Sequence, residues 1–203
     1  MRYAFIKRQI RTVHWMSGAV CLIGMLLFAA TGITLNHAGS LTAKPVITDA
    51  ETTLSPALTA MLADGPDSGT TPALPTAVTR QLKSELGADA AGQTAEWTYI
   101  DVYVALPRPG GDGWVSIDRE TGGVVYEATQ RGPVAYLNDL HKGRNTGTAW
   151  SWFLDIFAVA TMLFCLSGLW LLQIHSARRA STWPLTLAGL AVPVLLLLVF
   201  VHL

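Results

Sequence analysis

Charge is scarce in this chain of 203 residues: Asp, Glu, Lys and Arg together make up 14% of it, against roughly a quarter in an average soluble domain. Acidic residues are absent before Asp49 and after Asp155. Basic and acidic residues number 14 each, so the net charge is zero. No basic footprint for nucleic acid exists. Cysteine occurs only twice, at Cys21 and Cys165. Two cysteines so far apart in apolar runs exclude a disulfide framework, a Cys-x-x-Cys redox pair and a Cys-x-x-Cys-His site for c-type haem linkage; they read as small packing residues. A phosphate-binding loop, a nucleophile–base pattern and a soluble metal-ligand cluster are also missing.

What the chain has instead is length without charge. Residues 12–36 hold no Lys, Arg, Asp or Glu, residues 149–174 hold only Asp155, and residues 182–203 hold none. About 20 apolar residues span the hydrocarbon core of a bilayer, so all three runs qualify. Trp15, Trp150, Trp152, Trp170 and Trp183 fall near the run ends, where an interfacial belt belongs. The first run follows Arg2, Lys7, Arg8 and Arg11. It exceeds a signal peptide's apolar core and lacks a small-x-small cleavage site, so it reads as an uncleaved anchor. Asp155 is shallow in its helix and reads as a hydrated or paired surface carboxylate rather than a proton relay.

The basic flanks set an expected orientation. Arg2 to Arg11 precede the first helix, and Arg178 with Arg179 link the second to the third; short basic flanks stay cytoplasmic. The expected layout is a cytoplasmic N-terminus (1–11), transmembrane helix 1 (12–37), an outer linker (38–75), a folded unit (76–130), a membrane-surface segment (131–148), transmembrane helix 2 (149–175), a cytoplasmic loop (176–181) and transmembrane helix 3 (182–203). In a bacterial inner membrane, residues 38–148 and the C-terminus then lie in the periplasm.

Within the outer segment, residues 39–75 are rich in Ala, Thr, Pro, Ser and Gly, the composition of a linker, with a short helix at 55–63. In "TAVTRQLKSELG", Val78, Leu82 and Leu86 recur every four residues and Gly87 follows: an amphipathic helix with its stop. "EWTYIDVYVALP", "GWVSID" and "GVVYEAT" are rich in β-branched and aromatic residues between turn signals, which predicts a three-stranded meander. The expected fold class is therefore a mainly α membrane protein of three transmembrane helices, with a small α+β unit between helices 1 and 2. So thin a core predicts packing on a partner or on the membrane helices.

Four stretches carry a family resemblance. "VSIDRETGGVVYEA" is similar to the strand–turn–strand ending of PepSY modules. "RTVHWMSGAVCLIGMLLFAATGITLNH", "LNDLHKGRNTG" and "FCLSGLWLLQIH" resemble, in order and spacing, the membrane segments of PepSY-associated transmembrane proteins. Larger relatives include ferric-siderophore reductases of the inner membrane, which bind b-type haem through histidines; this chain has three expected helices rather than four or more, and a shorter outer segment. The resemblance implies haem b, electron transfer to a periplasmic acceptor, ferric-siderophore reduction in iron uptake, and a haem-dependent oxidoreductase or its electron-transfer subunit. The expected partners are the lipid bilayer and a periplasmic flavoprotein or a ferric siderophore, with a homodimer as a further option.

That resemblance gives the histidines a reading. His14, His37, His141, His175 and His202 all lie at or near the borders of the apolar runs. His14 and His37 are 23 residues apart, about 34 Å along a helix, so they belong to opposite leaflets. Antiparallel topology pairs His14 with His175 inside and His37 with His141 outside, as axial ligands of two haems, with His202 in reserve. Arg11, Arg178 and Arg179 are the candidate propionate partners at the inner site, and Lys142 and Arg144 at the outer one. The small residues Ser17, Gly18, Cys21 and Gly24, facing Ala158, Thr161, Cys165 and Gly168, leave room for a flat ligand or else serve close helix packing. The competing function is a cofactor-free anchor whose PepSY-like module binds or regulates a periplasmic partner; it leaves the four border histidines unexplained.

Overall fold

The computed structural model describes residues 2–41 and 43–201. Helix α1 runs from Arg2 to Asn36. Then come β1 (Val46–Thr53), α2 (Pro56–Ala63), α3 (Thr76–Leu86), β2 (Ala95–Trp97), β3 (Asp101–Ala105), β4 (Gly111–Asp118), β5 (Gly123–Gln130) and α4 (Gly132–Lys142). Helix α5 spans Gly147–His175, and α6 spans Thr182–Leu196 with a π-helical turn to Val201. Three helices among the described residues are long and apolar enough to cross a membrane: α1, α5 with the short 3₁₀ turn to Arg178, and α6. Pro193 lies inside α6, one turn before its π turn; a proline without an N–H commonly accompanies such irregularity.

The chain divides into two units, residues 1–27 with 152–203, and residues 28–151. In the first, burial is confined to small side chains: Ser17 and Cys21 on α1 and Ser167 on α5. A methyl group on Gly18 would stand 3.0 Å from the Phe164 ring, and one on Gly24 would strike the Phe157 ring. The small-residue stripe is thus filled by phenylalanines at these two positions, which is close helix packing rather than space for a flat ligand. Helix α6 has no buried residue.

The second unit is built on a five-stranded antiparallel sheet of order β1-β5-β4-β3-β2. The stretches expected as three strands hold four: the first breaks into β2 and β3, which pair antiparallel across a turn where the Asp101 N–H donates to Thr98 Oγ1. Alternation buries Val102 and Val104 on β3, Val115 and Ile117 on β4, and Val124 on β5. Helix α3 turns Val78 and Leu82 onto that face and ends at Gly87, whose φ of 68° is left-handed, a conformation glycine adopts without strain.

The stretch 38–75, expected as a linker, differs. It contains α2 near the expected short helix, and also β1, which pairs with β5 from Val46↔Gln130 to Thr53↔Gly123. Leu54, Leu62 and Leu74 from this stretch are buried in the core. Trp97, also buried, donates from Nε1 to the Pro72 carbonyl at 2.8 Å. The core is therefore thicker than residues 76–130 alone would make it.

Candidate functional site

At one end of α5, Leu171, Leu172 and His175 follow Gly168 on one helical face. These four, with His14, Arg178, Arg179 and Thr182, line a cavity of about 560 Å³. That is the size of a small-molecule or cofactor site. Nδ1 of His14 lies 3.2 Å from the Phe164 carbonyl and 3.1 Å from Ser167 Oγ. The Ser167 hydroxyl gives its own hydrogen to the Leu163 carbonyl at 2.6 Å or the Phe164 carbonyl at 3.0 Å. Both neighbours of Nδ1 are thus acceptors, so Nδ1 carries a hydrogen, and in the neutral ring Nε2 holds the lone pair. His175 Nδ1 likewise donates to the Leu171 carbonyl at 2.7 Å. Two imidazoles with Nδ1 held on oxygen line one cavity, with two arginines on its lining. Arg11 is exposed and does not line it.

The outer candidates are arranged differently. Helix α4 docks on the end of α1 through two polar contacts: His141 Nδ1 with Thr31 Oγ1 at 2.7 Å, and Thr34 Oγ1 donating to Asn138 Oδ1 at 2.8 Å. The Thr31 hydroxyl also has the Phe28 carbonyl as an acceptor for its hydrogen at 3.1 Å. The tautomer of His141 decides whether Thr31 gives that hydrogen to Phe28 or to Nδ1. His37 continues the α1 turn, with its N–H on the Ile33 carbonyl. At about 100° per residue it lies roughly 140° around the helix from Gly32 and 180° from Phe28, and both of those residues lie against His141. It is exposed, and its Nδ1 donates to Ile33 at 3.0 Å. His37 and His141 are thus not brought onto one face, whereas His14 and His175 are brought into one cavity. Lys142 and Arg144 are exposed at the end of α4, and His202 lies outside the described residues.

The other face of α4 meets the sheet. Buried Asp139 accepts from the Gly110 N–H at 2.8 Å and from Arg131 Nη2 at 3.5 Å. Neither this link nor the serine and threonine partners of the histidines emerged from sequence reasoning; the signal for the latter was the recurrence of Thr-Gly and Ser-Gly near the ends of two apolar runs. Among the described residues no group of three or more His, Cys, Asp or Glu is arranged to hold a bare metal ion.

Three apolar helices of membrane-spanning length, joined in one chain to an antiparallel sheet, define a membrane protein. A family model described as "Putative PepSY_TM-like" matches residues 5–202. The chain belongs to the PepSY_TM-like family. No curated protein and no solved structure matches it.

Proposed function

We propose that this protein is a b-type haem electron-transfer protein of a bacterial inner membrane, delivering electrons to a periplasmic acceptor, which the family likeness suggests is a ferric siderophore, directly or through a flavoprotein. The observation that carries the reading is the cavity in which His14 and His175 both hold Nδ1–H on an oxygen and keep Nε2 free. The residues fit the group: a pair of imidazoles suffices where a macrocycle supplies the other four ligands, Leu171, Leu172 and Gly168 offer an apolar wall, and Arg178 and Arg179 match propionates. Haem held by two histidines supplies one-electron transfer and leaves no open position for substrate. An acceptor must therefore dock outside the iron's coordination sphere, and the sheet-bearing unit, read as a periplasmic PepSY-like module between the first two membrane helices, is the candidate platform. His37 and His141 are not brought onto one face, so the reading rests on the inner site alone.

The test is an absorption spectrum of the detergent-purified full chain, oxidised and then dithionite-reduced. The expected result is a low-spin b-type Soret and α band, with His14→Ala and His175→Ala removing the same haem. A colourless protein from haem-replete cells would overturn this reading in favour of the cofactor-free anchor.

A further inference from the structure

Two pentapeptides on different helices share one form: Phe28-Ala29-Ala30-Thr31-Gly32 on α1 and Phe164-Cys165-Leu166-Ser167-Gly168 on α5. In a helix, the first, fourth and fifth positions of such a stretch share a face. In both cases that face receives a histidine from elsewhere in the chain.

The three contacts are the same in kind. Phe164 stacks on His14 with ring centroids 4.5 Å apart and planes 13° from parallel; Phe28 lies 4.9 Å from His141, tilted by 43°. Ser167 and Thr31 each have a carbonyl acceptor on their own helix, Leu163 at 2.6 Å and Phe28 at 3.1 Å, and each hydroxyl oxygen stands against the imidazole Nδ1, at 3.1 and 2.7 Å. Both glycines lie under the ring: a methyl on Gly168 would crowd His14 Cε1 at 3.2 Å, and one on Gly32 would be in ordinary contact with His141 Cε1 at 3.8 Å. Back-bonding of a serine or threonine to its own helix is common and would account for the hydroxyl alone. It does not account for an aromatic ring three residues before it and a glycine one residue after it, all meeting the same imidazole.

We propose that Phe-x-x-(Ser/Thr)-Gly is a histidine cradle, used twice in this chain, in which Ser167 and Thr31 are positioning residues that fix the ring plane and the Nδ1–H tautomer of His14 and His141. The neutral histidine side chain in water favours the Nε2–H form, so the cradle reverses the default and leaves the lone pair on Nε2. The consequence for a bound haem rests on the function proposed above; the tautomer does not. With haem bound, an Nδ1–H held by an oxygen makes the ligand nitrogen more basic, as such second partners do at metal sites generally.

The experiment is ¹⁵N NMR of histidine ring nitrogens in the full chain, in detergent, prepared from haem-limited cells at a pH where the rings are neutral. Resonances are assigned by single His→Gln replacement. His14 and His141 are expected as Nδ1–H. Thr31→Val is expected to return His141 to a mixture dominated by Nε2–H, while Thr31→Ser retains the native form. Ser167→Ala is expected to act more weakly on His14, because the Phe164 carbonyl remains as an acceptor, and Ser167→Thr to act least. In protein loaded with haem, any haem ligated by His141 should shift to a more positive midpoint potential in Thr31→Val and return with Thr31→Ser. Finding Nε2–H at either histidine in the unaltered protein, or an unchanged His141 in Thr31→Val, overturns the cradle. A colourless protein whose tautomers are as stated upholds the cradle and overturns only the haem reading.

Discussion

Asp118 shows how much one exposed side chain can organise. Its Oδ1 accepts from the N–H of Thr121 at 2.7 Å, the Thr121 hydroxyl at 2.8 Å and the N–H of Glu120 at 3.0 Å. These bonds close the Asp-x-x-Thr-Gly turn between β4 and β5. The N–H of Thr121, then its hydroxyl, holds the carboxyl below the ordinary carboxylate value. A lowered folded-state value means stability that is present above the ordinary value and lost as pH falls through the folded one. Asp118→Ala should therefore lower the urea midpoint of the sheet unit at pH 6, with the gap to the unaltered protein closing towards pH 3. Asp89, lowered by its bond to Lys83, titrates in both proteins and cancels in the comparison. Fluorescence of buried Trp97 reads the transition, and a gap independent of pH would show that the carboxylate is not what holds the turn.

At this scale the meeting of His14 and His175 at one cavity was legible, and the separation of His37 from His141 was not. His14 and His175 are placed by helix ends, which length and charge determine. The facing of His37 against His141 depends on helical phase, where one residue is worth about 100°. It also depends on how α4 docks, which Thr31, Thr34 and Asn138 set across more than a hundred residues of sequence.

Among elements, β1 is the instructive one. The membrane helices could be read from apolar length, α3 from its period of about four, and β3 to β5 from alternation with turn signals. Strand β1, "VITDAETT", is an edge strand with most side chains exposed on both faces. It has no apolar alternation to read, and it is ordered by pairing with β5, which lies far along the chain; edge strands are the least specified by side-chain pattern. The leucines around it are nonetheless core. Leu62 on α2 is fully buried, and Arg119 Nε donates to its carbonyl at 3.0 Å while the guanidinium lies 5.4 Å from the Trp97 ring. Leu62→Ala should cost about 2–5 kcal/mol, the range for a leucine truncated in a packed core, comparable to the loss at a core position of α3. Urea unfolding followed through Trp97 measures it. A cost below about 0.5 kcal/mol, ordinary for a surface position, would return this stretch to the status of a linker.

On the scale of the whole molecule, the charges that sequence reading used for orientation all lie at the ends of α1 and α5. Arg2, Lys7, Arg8 and Arg11 occupy the first three turns of α1, and Arg178 and Arg179 follow α5. In the proposed orientation, which applies the positive-inside rule, these ends face the cytoplasm and a cytoplasmic donor or quinol would load the cavity holding His14 and His175 from that side. The same proposal assigns the acidic residues, confined between Asp49 and Asp155, mostly to the periplasm. This arrangement predicts a sided labelling pattern. In a background where Cys21 and Cys165 are replaced by Ala, Glu120→Cys in the exposed β4–β5 turn should react with a membrane-impermeant maleimide in intact spheroplasts. Ala177→Cys, exposed between α5 and α6, should react only after permeabilisation. The reverse pattern would put the sheet in the cytoplasm and the His14–His175 cavity on the outer side; periplasmic electron delivery would then have to leave from that cavity, and the sheet would lose its role as the docking platform.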